Sequence, residues 1–208
     1  MATKAEQSEA TRSALIAAAR KLFAERGFAE TSTEAVVQAA GVTRGALYHH
    51  FKDKHALFRA VYENLEEHLM VYVASAVHNL HDPMALLRRG AEAFLDACLD
   101  PEVMRVVLVE GPSVLGWETW REIDQAYGLG LVTTALELAV RTGAIRKVPV
   151  QPLAHVLLGG LTEGALVMAN ADDPAAARRD VGKAITAIVD GLAAQAPPVR
   201  APRAGRRP

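Results

Sequence analysis

Residues 31–58 read TSTEAVVQAAGVTRGALYHHFKDKHALF, and the spacing inside this stretch decides the fold. Thr31 and Glu34 form the S/T-x-x-E signature of a capping box, so a helix starts there. Gly41 stops it only about two turns later. Thr43 can cap a second short helix to about His50, and Asp53 can cap a longer one that opens with Lys54, His55 and Ala56. Helices this short are not stable alone. They need one another and a brace from the preceding helix, which is the construction of a helix-turn-helix. Val36, Val37, Ala40, Val42 and Leu47 then make the inward seam, and Gly41 supplies the positive φ of the tight turn.

On the second short helix, Leu47, His50 and Phe51 share the inner face by their i, i+3, i+4 spacing, which turns Arg44, Gly45, Tyr48 and His49 outward. That outward set suits a DNA major groove. Arg44 can make a bidentate contact to guanine, and Gly45 lets the backbone approach the duplex. Tyr48 and His49 can hydrogen-bond phosphates. Thr33 and Thr43 lie near helix N-termini, where hydroxyls and free amides favour an anionic phosphate, and Lys54 is expected to clamp another. The plainer alternative is a small helical subdomain with one exposed polar helix, and charge alone does not separate the two.

Composition sets the outer bounds. The chain has 208 residues, half of them apolar, with a net charge of −1. The charge is unevenly spread: residues 1–60 carry nine Lys/Arg against six Asp/Glu, residues 61–199 carry ten against eighteen, and the tail from Arg200 adds four arginines. A mildly basic end on an acidic body fits a polyanion-binding module joined to something else. The lone cysteine, Cys98, excludes an intramolecular disulfide and a Cys-rich zinc site. The N-terminus lacks the apolar run of a signal peptide, and no apolar run is read as a membrane span, so a soluble, cytoplasmic protein is expected.

Helical periodicity continues along the whole chain. Leu15, Ile16, Ala19, Leu22 and Phe23 mark a first helix ended by Gly27, and Leu57, Phe58, Val61, Leu65, Leu69 and Tyr72 mark the long fourth one. Pro83 opens a fifth helix to about Leu99 and Pro101 a sixth to about Val109. EGPSVLG, residues 110–116, reads as a break. A seventh helix runs from Trp117 to about Arg141, an eighth from Gln151 to Asn170, and a ninth from about Ala175 to Ala194. The expectation is an all-α chain: a DNA-binding unit over 1–60, a larger effector-binding and dimerisation unit over 61–195, and a disordered Pro/Arg-rich tail over 196–208.

The run from Phe28 to Phe58 resembles the DNA-binding domain of the TetR (tetracycline-repressor) family of bacterial regulators. The family's signature of glycine, small residue, Leu, Tyr, then Phe-x-x-Lys appears as Gly45, Ala46, Leu47, Tyr48, Phe51 and Lys54, preceded by AAGVTRG. The resemblance covers roughly residues 8–60. Val37 departs from it, standing where the family usually has alanine. The resemblance implies nine helices, a homodimer on a palindromic operator, and repression relieved by a small ligand bound in the C-terminal part. An activator, or a DNA binder without an effector, is the alternative. A small helical enzyme is a weaker one, because no Ser-His-Asp, HExxH, phosphate loop or paired-carboxylate spacing is present.

Two further sets of candidates lie in the body. Trp117, Trp120, Asp124 and Tyr127 fall near one helical stripe, an aromatic wall with one carboxylate that a flat or cationic ligand would suit. Phe94, Cys98, Met104 and Val107 are expected to face it. The alternative has the tryptophans in the core and Asp124 paired with Arg121 or Arg105. Surplus apolar faces on the last two helices are candidates for dimerisation: Leu153, Val156, Leu157, Gly160, Leu161, Gly164 and Met168 on the eighth, and Val181, Ile185, Ile188 and Leu192 on the ninth. No cofactor or metal is expected. His78, His81 and Asp82 sit at a helix end, where solvation is the simpler reading.

Overall fold

Six α-helices among the described residues begin at a capping side chain, that of Thr3, Ser32, Thr43, Asp53, Asp82 or Asp173. The computed structural model describes residues 3–193, so the tail expected over 196–208 lies outside the described residues. Within them the order is α1 (Lys4–Glu30), α2 (Thr33–Ala40), α3 (Arg44–His50), α4 (Lys54–Val77), α5 (Pro83–Ala97), a π-helical segment (Val103–Glu110), α6 (Gly111–Leu115), α7 (Trp117–Arg141), α8 (Val150–Ala169) and α9 (Pro174–Gly191). The fold is all-α, with nine α-helices among the described residues.

Local chemistry accounts for most boundaries. The Thr3 hydroxyl accepts from Glu6 N, and the Glu6 carboxylate accepts from Thr3 N, a reciprocal box that starts α1. Gly27, at φ 85°, interrupts α1 one turn before its end. Gly41, at φ 66°, makes the α2–α3 turn, and Val42 N reaches back to Val37 O at 3.2 Å. The cap of α2 differs from expectation. Ser32, not Thr31, accepts from Ala35 N at 3.1 Å. Thr31 is fully buried, and its hydroxyl donates to Gly27 O at 2.7 Å, closing the end of α1 instead. The expected break at 110–116 is also narrower. Gly111–Leu115 is helical, with Pro112 tolerated in its first turn, and the chain turns only at Gly116, φ 79°.

Helices α1–α3 pack around Leu15, Ala19, Phe23, Val36, Leu47 and Phe58, and the same buried apolar cluster continues through the body to Val189. Helix α4 is shared: Leu57 and Phe58 belong to the head, while Val73 belongs to the body. At 1.5 Å per residue its length is about 36 Å. Ion pairs from Arg178 to Asp96 at 2.7 Å and from Arg88 to Asp190 at 2.6 Å fasten α9 to α5. Contrary to the sequence reading, one helix, α8, is long and apolar enough to cross a membrane by length and composition alone. The reason is that α8 is apolar on two sides. Ala154, Leu158, Ala165 and Met168 are buried in the body, while Val156, 67 % exposed, and Val167 lie on the outer face.

Candidate nucleic-acid interface and internal cavity

The exposed face of α3 brings together most of the residues expected to meet DNA. Thr43 caps the helix, its hydroxyl accepting from Ala46 N at 3.2 Å. Arg44 is exposed, pairs with Glu34 at 3.2 Å and lies 5.6 Å from the Tyr48 ring centroid. A Cβ at Gly45 would meet only the Thr43 hydroxyl oxygen, in ordinary contact at 3.9 Å, Tyr48 is 44 % exposed, and His49 is exposed with its ring 5.2 Å from that of His50. Thr33 sits half-buried in the first turn of α2, its hydroxyl 3.2 Å from Glu34 Oε2. The face is therefore polar, tethered at one end and free of apolar clutter.

Lys54 is placed differently from the expected phosphate clamp. Its ammonium donates to Phe28 O at 2.8 Å, Thr31 O at 3.1 Å and Ala29 O at 3.4 Å, and it lies 4.3 Å from the Phe28 ring centroid. These carbonyls sit at and just past the end of α1, where a helix leaves acceptors without partners. The lysine locks α1 to α4, with Phe28 and Phe58 in edge contact beside it at 5.3 Å.

The body holds an apolar cavity of about 370 Å³ between α4, α5, α7, α8 and α9, with Val73, Phe94, Val132, Leu157, Leu161 and Ile185 in its walls and the exposed Val156, Gly160 and Ile188 where it opens to the surface. Among the eight side chains expected to line a pocket, Phe94 alone does so. Trp117 is 65 % exposed, so its indole faces outward, 4.9 Å from the Trp120 ring. Met104 and Val107 belong to the π-helical segment, outside the cavity, and Tyr127 packs against the core without reaching it. Trp120, Asp124 and Cys98 are buried elsewhere, in a polar layer next to the cavity.

That layer was only half legible in the sequence. Asp124 pairs with Arg121 at 3.0 Å and accepts from the Thr162 hydroxyl at 3.3 Å, which is the alternative reading of the stripe. Burial pushes the Asp124 carboxyl up, and Arg121 and Thr162 oppose it. Glu66 was missed. It is buried, and desolvation, with Asp124 adding to it, lifts its pKa to about 8. Burial likewise raises the Tyr62 hydroxyl and the Cys98 thiol. The signal was available, since Glu66 falls on the stripe of Tyr62, Leu65, Leu69 and Val73, where an acid has no solvent.

The last two helices divide between core and surface. Leu157, Leu161, Met168 and Ile185, expected at an interface, are buried in the body. Gly164 faces Val181 within the same chain, where a Cβ would stand 2.6 Å from it. Leu153 and Leu192 are half-buried against the core. Val156, Gly160 and Val167 on α8, with Ile188 at 52 % exposure on α9, make the outward stripe. Val156, Gly160 and Ile188 are among the expected positions and Val167 is not, so the outward face is one edge of the expected stripe, whose remaining members turn into the body. Among the described residues no three His, Cys, Asp or Glu side chains are grouped to hold a metal.

A basic helix-turn-helix head fused to an all-helical body with an apolar cavity defines a DNA-binding transcriptional regulator. Residues 15–61 match the family described as "Bacterial regulatory proteins, tetR family", and residues 84–192 match "Tetracyclin repressor-like, C-terminal domain". The chain belongs to the TetR family of transcriptional regulators, which are not enzymes. It is similar to the crystal structure of a TetR-family transcriptional regulator from Pectobacterium atrosepticum, with 31% identity, a TM-score of 0.84, and 94% of this chain and 100% of that one covered. It is 35% identical over 103 residues to the HTH-type transcriptional regulator TtgR of Pseudomonas putida, a match spanning 49% of each chain, so about half that relative's length. The structure of RolR in complex with resorcinol shares the fold at 19% identity and a TM-score of 0.70, covering 94% of this chain and 98% of that one. Regulators of this family bind operator DNA and small-molecule ligands.

Proposed function

We propose that this protein is a homodimeric repressor, acting in the cytoplasm, that releases a palindromic operator when a small molecule enters the α4–α9 cavity. The observation that carries the reading is the shared helix α4, which starts beneath the reading head at Lys54 and ends as a wall of the cavity at Val77. A ligand that displaces the cavity end must therefore tilt or strain the head. RolR, of the same fold, is known bound to resorcinol, which supports a ligand of modest size for such a cavity.

In this reading Arg44 contacts a base edge, Gly45 admits the backbone, and Thr33, Thr43, Tyr48 and His49 fix phosphates. Lys54 acts as a positioning residue through its carbonyl contacts. Val156, Gly160, Val167 and Ile188 meet a second copy, which covers the mouth of the cavity that the first, second and last of these line and sets two α3 helices in successive major grooves. A second link joins head and body: the Glu110 carboxylate accepts from Phe28 N at 2.8 Å and pairs with Arg105 at 3.5 Å. Gly111, next in sequence, packs so closely that a Cβ there would stand 2.8 Å from the Tyr62 ring.

The test is fluorescence anisotropy of the full chain on a DNA sequence that it selects from a random pool, titrated with a panel of small apolar compounds. Repression by release requires at least one compound to lower DNA affinity with a matching gain in its own affinity for DNA-free protein. Compounds that bind the cavity yet leave DNA affinity unchanged would overturn it.

A further inference from the structure

The polar layer and the apolar cavity are adjacent floors of one space. On α4, Glu66 lies one turn before Met70; at the C-cap of α5, Cys98 lies one turn after Phe94; on α7, Asp124 lies one turn before Gly128; on α8, Thr162 lies one turn after Leu158. The first residue of each pair is buried in the layer and the second lines the cavity. Same-face spacing on all four helices stacks the two floors directly. The partition includes Leu158, seated on Gly128 so closely that a Cβ there would stand 2.7 Å from its Cδ1. A leucine that rests against a glycine can swing aside by a rotamer change.

The layer has more negative than positive charge. Glu66 and Asp124 face one guanidinium, Arg121, which pairs with Asp124. Around Glu66 stand the Tyr62 hydroxyl on its own helix, Asp124 and Trp120 from α7, and the Cys98 thiol from α5, with Thr162 from α8 on Asp124; none of these is a cation. Glu66 can be balanced only by a proton or by a cation from outside. An independent observation marks the same spot: the Tyr62 hydroxyl and the Trp120 indole N–H, both on wholly buried side chains, find no hydrogen-bond partner among the described residues. The hydroxyl stands beside Glu66 and can donate to its carboxylate once a cation has replaced the proton, the one contact in the layer that opposes its burial.

We propose that the effector is an apolar monocation, a hydrophobic amine or quaternary ammonium, whose charged end is received by Glu66 beneath Leu158 while its apolar part fills the cavity. This rests on the reading of the cavity as the effector site. The cation takes the place of the Glu66 proton, which leaves to solvent, so charge in the layer is conserved on binding. The Tyr62 and Trp120 rings bear on Gly111, so the arriving cation also presses where the π-helical segment holds Phe28 of the head.

The experiment is calorimetry of the full chain with three probes of one shape: 4-phenylbutyltrimethylammonium, 4-phenylbutanol and 4-phenylbutyrate. The ammonium has no proton of its own. The expected result is affinity at least about tenfold above that of the alcohol, with the carboxylate weakest. Titration at about pH 7 in two buffers of different ionisation heat should show close to one proton released per ammonium bound. Glu66→Gln should erase both the preference and the release while the alcohol still binds. Equal affinity for ammonium and alcohol, or no proton released, overturns the inference without any variant. Release from DNA is read separately by anisotropy. If the alcohol or carboxylate dissociates the complex and the ammonium does not, this inference falls and the effector reading stands; if none of the three binds, both fall.

Discussion

At Lys54 a side chain that sequence alone assigns to a phosphate is held instead by three carbonyls around the end of α1. The signature Phe-x-x-Lys gives its spacing but not its partner, because the partner comes from a helix end more than twenty residues earlier. Lys54→Ala should lower stability by about 1–3 kcal/mol, the usual effect of stripping a charged donor from buried acceptors. It should leave the slope of log affinity against log salt unchanged; a slope reduced by about one would restore the phosphate role. Arg44→Ala, by contrast, should weaken specific binding by about 1–3 kcal/mol and relax base choice at one position of each half-site, read by competition with single-base variants. Glu66 gives a pH test. Its folded pKa of about 8 lies well above the ordinary carboxylate range, so the folded chain keeps a proton that the unfolded chain gives up. The stability tied to that proton is present in full below the unfolded value and is lost as pH rises through the folded one. Glu66→Gln cannot lose it. Its thermal midpoint should match the parent's near about pH 5 and exceed it by several degrees near about pH 9, whereas a constant offset would mean that Glu66 is not protonated in the fold.

At the scale of elements, the sequence was most legible where a local rule acts alone. Gly27 and Gly41 are in positive φ as their turns demand, and Asp53 caps α4 through Ala56 N at 2.8 Å. Legibility failed where a distant partner decides. Thr31 looks like a cap until the carbonyls of α1 claim its hydroxyl, and EGPSVLG looks like a break until Gly111 is seen packed on Tyr62 and Trp120. The aromatic stripe of α7 is real, but the cavity lies a turn further along the bundle, among aliphatic side chains that carry no distinctive motif. Helix α8 is apolar nearly all round, so periodicity cannot say which side meets the core. The structure sorts it, and the dimer test changes accordingly. Gly164 faces Val181 inside its own chain, so a large residue there would damage the fold. Gly160→Arg, on the open face with nothing near its Cβ position, should instead sediment as a monomer with unchanged helical content and a markedly lower affinity for palindromic DNA. A Gly160→Arg dimer would move the interface off α8.

At the scale of the whole molecule, head and body are joined by α4, by the Glu110 contact to Phe28 and by the ion pair of Arg20 with Glu102, and release of DNA has to pass through these links. Glu110→Ala removes the acceptor for Phe28 N. Ligand affinity should stay as it was and DNA affinity without ligand should change little, while the drop in DNA affinity that a bound ligand causes should shrink several-fold. Coupling that survives intact would leave α4 and the Arg20–Glu102 pair to carry it. The charge asymmetry read from the sequence fits this division, with a basic head for DNA and an acidic body whose buried carboxylates face the cavity floor. The most direct measurement of the central claim is selection of bound sequences from a random DNA pool by the purified full chain, repeated at several salt concentrations. The account predicts enrichment of one palindrome, bound by two copies, with half-sites spaced by about one helical turn or a multiple of it. Binding that enriches nothing and falls steeply with salt on every sequence alike would contradict it.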